Sequence, residues 1–140
     1  MSFVWLNGVL CAPDVARISP ADRGFTLGDG LFETMRAVGG QVLHLPRHMA
    51  RLAAGGEVLG LGVPEQAVVQ HAATELLAAC GLDNAVLRLS VARGDAGAFL
   101  GAGSGGLAQG RFGNPVLQAG MSADKRVAQS PDTGAPIDSC

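Results

Sequence analysis

At 140 residues the chain has the length of one ordinary domain, and its 48% hydrophobic content is enough for a core. A net charge of −2 argues against nucleic acid or an anionic membrane as the main partner. Three cysteines without a CxxC spacing argue against a disulfide scaffold or a zinc site and suit a reducing cytoplasm.

The first fourteen residues, MSFVWLNGVLCAPD, have no basic start and no long apolar run, and read as neither signal peptide nor membrane span. Within them Asn7-Gly8 separates two short apolar runs, the signature of a hairpin with a type I′ turn. Residues 12–24 form a loop containing Ser19-Pro20 and Asp22-Arg23-Gly24. Next comes RGFTLGDGLFETMR, residues 23–36. A phosphate-cradling glycine loop follows a strand and opens a helix. Here Gly28-Asp29-Gly30 instead runs into an alternating segment, 31–38, which ends at Gly39-Gly40. The glycines are therefore expected to form a tight turn that enters a strand, with a second hairpin completed by a strand at 41–45.

Pro46 fits the first turn of a helix. Met49, Leu52, Ala53 and Leu59 follow at helical spacing, which predicts a helix over 47–59. Gly55-Gly56 lies inside it, at about 1 kcal/mol per glycine relative to alanine. A second helix is expected over 64–80, with Gly81 as its C-cap. NAVLRLSVA, residues 84–92, reads as a strand. The order β-β-β-β-α-α-β predicts an α+β class: an antiparallel sheet with two helices. From residue 95 glycine, alanine, serine and proline dominate, and Pro115-Val116-Leu117-Gln118 is the one strand-like piece. Residues 1–94 are thus expected to form a domain, and 95–140 an irregular or disordered tail, with the missing apolar partner outside this chain.

Four segments together carry a resemblance: WLNG (5–8), ARISPADRGFTLGDGLFETMRA (16–37), HMARL (48–52) and LRLSVARG (87–94). In this order and at these spacings they resemble the small N-terminal domain of the class IV aminotransferases. These fold-type IV enzymes use pyridoxal 5′-phosphate (PLP). They include branched-chain and D-amino-acid aminotransferases and 4-amino-4-deoxychorismate lyases, and GDGLFET is closer to the D-amino-acid and lyase branches.

The resemblance implies that the strand after GDG lines a cofactor cleft, with Phe32 and Glu33 on the substrate side. Arg51 matches the family arginine that holds the cofactor phosphate, for which a planar, permanently charged guanidinium is well suited. The alternative is a solvated helix arginine. Arg88 and Arg93, on or at the end of the last strand, would reach a substrate carboxylate, or else serve as edge-strand cations. His48 and Glu33 have the form of an acid–base pair, but local packing of His48 is the expected role, because the family's chemistry belongs to a lysine. Lys125, the sole lysine, lies in SADKRVAQ, without a preceding strand or a following apolar helix. No catalytic residue is therefore assigned: the lysine that joins the cofactor and the large domain are both expected to be absent. No metal is expected.

After Gly94 the chain departs from the family into DAGAFLGAGSGG, as expected of a truncated or divergent gene, or of a frameshift in GC-rich coding sequence. Three functions follow. The first is a PLP-dependent aminotransferase for amino acids and 2-oxo acids, represented by a fragment inactive alone. The second is a lyase releasing pyruvate from aminodeoxychorismate. The third is a non-catalytic α+β interaction module. The complete enzyme would be a cytoplasmic homodimer with a small-molecule substrate.

Overall fold

A computed structural model of the chain describes residues 2–94 and 114–121. Its elements are β1 (Val4–Leu6), β2 (Val9–Cys11), α1 (Arg23–Leu27), β3 (Gly30–Val38), β4 (Gln41–Val42), α2 (Leu45–Leu59), α3 (Gln66–Cys80), β5 (Ala85–Ala92) and β6 (Asn114–Met121). Among the described residues the strands form a six-stranded sheet in the order β2-β1-β6-β5-β3-β4, and every neighbouring pair is antiparallel. The β1–β2 turn has φ of 49° at Asn7 and 93° at Gly8, the two positive values that a type I′ hairpin requires.

Alternation along the strands sorts residues to two faces. Met35 and Ala37 of β3, Ala85, Leu87, Leu89 and Val91 of β5, and Leu117 of β6 are buried. They pack against Leu45, Met49 and Leu52 of α2 and Val69, Ala72, Leu76 and Leu77 of α3 in one core. Both long helices therefore cover the same face. The other face carries Phe32 and Val38, both exposed, with Arg88 and Ser90 of β5.

The expected α+β class, an antiparallel sheet with helices, is the one observed. Three details differ. A five-residue helix, α1, occupies part of the expected loop, and its C-cap is Gly28 at φ 66°. The first glycine of GDG thus ends a helix, and only the last enters the strand. The expected strand at 41–45 is confined to Gln41–Val42, because Leu45 and Pro46 already belong to α2. Gly56 in α2 has a local reason: a Cβ there would lie 2.6 Å from the Leu61 carbonyl oxygen.

The third difference bears on the boundary at 94. Residues 114–121, inside the stretch expected to be irregular, form β6 at the centre of the sheet, paired with β1 on one side and along eight residues of β5 on the other. The cause is non-local: a ladder to two strands and one buried side chain, Leu117, outweigh weak local preference. The rest of the expected tail lies outside the described residues.

Candidate functional site

The segment from Asp22 to Gly30 is fastened to the end of β5. Asp22 caps α1, its Oδ1 accepting the Gly24 N–H at 2.7 Å. Asp29 Oδ2 accepts Arg23 Nε–H at 3.0 Å and Arg93 Nε–H at 2.7 Å. Arg93 also donates to the carbonyls of Leu59 at 2.7 Å and Gly60 at 3.2 Å, at the C-terminal end of α2. Backbone bonds from Arg23 N to Gly94 O and from Arg93 N to Asp29 O complete the fastening. The approach is so close that a Cβ on Gly24 would stand 2.5 Å from the Ala92 Cβ. The Arg93 hydrogen bond, and after it the Arg23 bond, hold the Asp29 carboxyl below the usual carboxylate range against the opposing effect of burial.

This segment forms one rim of a pocket of about 830 Å³ on the sheet face that the helices leave bare. Leu6, Phe25, Phe32, Arg88 and Gln118 are among its lining residues, with Arg17 from the loop after β2. The Arg88 guanidinium carbon lies 4.0 Å from the Phe32 ring centroid, a cation–π contact that fixes the cation against an apolar wall. Arg17, Asp22 and Arg88 are the charged residues of the lining, and the one carboxylate among them is committed to capping. A mostly apolar cleft with two cations suits a small ligand that has an anionic group.

A second cluster lies on the helix side of β3. Glu33 is 3% exposed and uses both oxygens: Oε1 accepts Arg51 Nε–H at 2.7 Å, and Oε2 accepts Arg51 Nη2–H at 2.5 Å. His48 Nδ1 stands 2.7 Å from the same Oε2. The Arg51 hydrogen bonds, then the His48 bond, hold the Glu33 carboxyl below the usual range, while burial pushes the other way. Glu33 in turn raises the pKa of Arg51, whose side chain is 70% exposed.

The structure therefore separates the residues expected on the substrate side. Phe32 and Arg88 line the pocket together. Glu33 points to the opposite face, and Arg93 lies outside the lining with its guanidinium on Asp29 and the end of α2. Arg51 is brought to Glu33, and the His48–Glu33 pairing is a hydrogen bond. Lys125 lies outside the described residues. Arg17, Gln118 and the Arg23–Asp29–Arg93 cluster were not anticipated. The DRG and GDG triplets, three residues apart, held the signal for Arg23 with Asp29, but nothing local pointed to Arg93, 64 positions from Asp29. Among the described residues no group of three or more His, Cys, Asp or Glu is placed to hold a metal ion, and no helix is long and apolar enough to cross a membrane.

The family model for amino-transferase class IV matches residues 30–107, more than half of the chain. A D-alanine aminotransferase of Staphylococcus aureus (strain N315) is 33% identical over 61 residues, 44% of this chain and 22% of that protein. A putative branched-chain-amino-acid aminotransferase of Methanocaldococcus jannaschii is 34% identical over 92 residues, 65% of this chain and 32% of that protein. Among solved structures, the 4-amino-4-deoxychorismate lyase from Pseudomonas aeruginosa aligns with a TM-score of 0.59 and 33% identity, over 84% of this chain and 39% of that one. The chain thus spans well under half the length of these relatives. With its fold and sequence both matched, the chain belongs to the class IV aminotransferase family, a PLP-dependent family, and has the fold of that family's N-terminal domain.

Proposed function

We propose that this chain forms one wall of the active site of a PLP-dependent enzyme that moves amino groups between amino acids and 2-oxo acids. The observation that supports this most is the Arg88–Phe32 pair within the apolar pocket on the bare sheet face. An amino acid or 2-oxo acid offers a carboxylate for the guanidinium and a side chain for the apolar wall. Arg88 would orient the carboxylate, Phe32 would exclude water from the side chain, and the clasped rim at 23–30 would keep the pocket's shape.

The chemistry of the donor set fits the cofactor at its phosphate. Arg51 engages two of its five N–H groups on Glu33, and the others face solvent. They would hold the phosphate monoester. When bound, the cofactor supplies an electron sink for bond changes at the substrate α-carbon. Lys125 is given no part in catalysis, so the chain of 140 residues is inactive alone. The assembled enzyme would be a cytoplasmic homodimer.

The test joins this chain to the large domain of a D-alanine aminotransferase and follows amino transfer to 2-oxoglutarate. Activity is expected in the joined protein, with kcat/KM falling at least tenfold in Arg88→Met. A joined protein that folds but transfers nothing, or an Arg88→Met variant with unchanged kcat/KM, would overturn the proposal. The identity of 33% over 84% of the chain with a lyase favours one second reading, pyruvate elimination from 4-amino-4-deoxychorismate. Pyruvate release without amino transfer in the same joined protein would select it.

A further inference from the structure

We propose that Glu33 is a positioning residue for phosphate recognition. It holds the Arg51 guanidinium through two N–H bonds so that the remaining edge is presented outward, and His48 holds Glu33 in turn. This inference rests on the reading of Arg51 as the phosphate contact.

Three observations carry it. The first is the lopsided burial of the pair: Glu33 is 3% exposed and Arg51 70%. An ion pair built for the core would bury both partners. Here the anchor is buried and the cation reaches out, so it is held and accessible together. The second is the use of both carboxylate oxygens. A single bond leaves a guanidinium free to swivel, whereas Nε on Oε1 and Nη2 on Oε2 fix its plane. The outward N–H groups, those on Nη1 and the second on Nη2, have no acceptor among the described residues. The third is the origin of the parts. Arg51 and His48 come from α2, but Glu33 comes from β3, where it pairs with Leu89 of β5. The guanidinium is therefore referenced to the sheet whose adjacent residue, Phe32, lines the pocket. A helix arginine without this anchor would sample many rotamers and lose that freedom on each binding event.

The charge of Glu33 makes the proposal decidable. A carboxylate beside the binding cation opposes an incoming anion through Coulomb repulsion. If Glu33 acted through charge alone, Glu33→Gln would tighten phosphate binding. If it acts by holding Arg51, the same change loosens it, because an amide has one oxygen to accept with and repels the second N–H group.

The experiment titrates the whole chain with pyridoxamine 5′-phosphate at constant ionic strength and follows the probe's phosphorus NMR shift. Wild type is expected to show saturable binding, and Arg51→Met to lose it. Glu33→Gln is expected to raise Kd at least threefold despite removing a negative charge. His48→Ala is expected to raise it as well, and His48→Asn, whose side-chain amide can donate in place of Nδ1, to return it to within twofold of wild type. Equal or tighter binding by Glu33→Gln overturns the proposal. Should Glu33→Gln fail to fold, as judged by circular dichroism, the His48 pair decides alone: no loss in His48→Ala, or no rescue by His48→Asn, overturns it. Undiminished binding by Arg51→Met would sink the reading of Arg51 itself, an outcome distinct from failure of the Glu33 variants.

Discussion

Phe32 and Glu33 are neighbours in a strand, so their side chains must leave on opposite faces. The rule accounts for Phe32 lining the pocket while Glu33 meets Arg51 on the helix side. Phe32 and Arg88 were legible because each sits in an alternating run whose polar phase faces away from the core. The role of Glu33 was not, because it depends on α2 crossing β3. Depressed carboxyl pKa values at Glu33 and Asp29 have a consequence for stability. A carboxylate whose folded pKa lies below its unfolded value contributes stability that is complete above the unfolded value, about 4. That contribution is lost as pH falls through the folded value. Urea midpoints are thus expected to show no loss from these pairs between about pH 7 and pH 5 and a decline below about pH 4. Asp29→Asn should be less stable at pH 7 and show a shallower acid decline. An acid slope identical to wild type would argue against the clasp. Trp5 presents the opposite case. It is 5% exposed, and its indole Nε1–H has no acceptor among the described residues. An orphaned buried donor costs about 1–3 kcal/mol, which offsets much of the volume lost in Trp5→Phe. The net change by urea unfolding is expected to stay within about 1 kcal/mol, against about 3–5 for Trp5→Ala. A loss above about 2 kcal/mol in Trp5→Phe would show that the indole N–H is paired.

Among the elements, α3 was legible at its C-terminal end, where its apolar period and its Gly81 cap agree, but it begins at Gln66 after the N-cap Glu65, two residues beyond the expected start at Pro64. β6 was legible only as the strand-like piece 115–118, and its place in the sheet was not. Pro115, Ala119 and Gly120 disfavour a strand, and Val116 is the one residue there that clearly favours it. Its existence depends on β1 and β5, far away in sequence, which no local window contains. The expected domain of residues 1–94 therefore shares its sheet with β6. β6 lies between β1 and β5, so removing it would split the sheet and uncover Leu87 and Leu89. Limited proteolysis followed by mass spectrometry is expected to retain residues 114–121 with residues 2–94, even where a cut falls between them. A stable, folded product lacking 114–121 would contradict the observed strand order. α1 was missed for a different reason: five residues are too few for a period to show. Its position can be tested at Gly24, where a Cβ would meet the Ala92 Cβ at 2.5 Å. Neither atom belongs to a long side chain that can swing away. Gly24→Ala is expected to destabilise by about 1–3 kcal/mol through overpacking, and an unchanged urea midpoint would mean that α1 does not approach β5 this closely.

On the scale of the whole molecule, one sheet face is covered by two helices and the other carries a pocket open to solvent. In the proposed reading phosphate recognition would rest on Arg51, whose side chain is 70% exposed. One arginine–phosphate contact in water is weak, because solvent screens it. The chain alone should therefore bind PLP with a Kd on the order of millimolar, as suits roughly one charge-assisted contact. It should transaminate no faster than free PLP. In a protein that joins this chain to a matched large domain, further donors and enclosure would raise affinity, and Arg51 would act inside a desolvated site. Arg51→Ala is then expected to raise the cofactor Kd at least tenfold, as read by equilibrium dialysis. Lys125→Ala should change neither the Kd nor the rate in either protein. Each half of this expectation can fail separately. Tight cofactor binding by the 140-residue chain would mean that its own residues enclose the phosphate. Transamination by that chain, abolished by Lys125→Ala, would make Lys125 the catalytic amine and place the whole reaction within this chain.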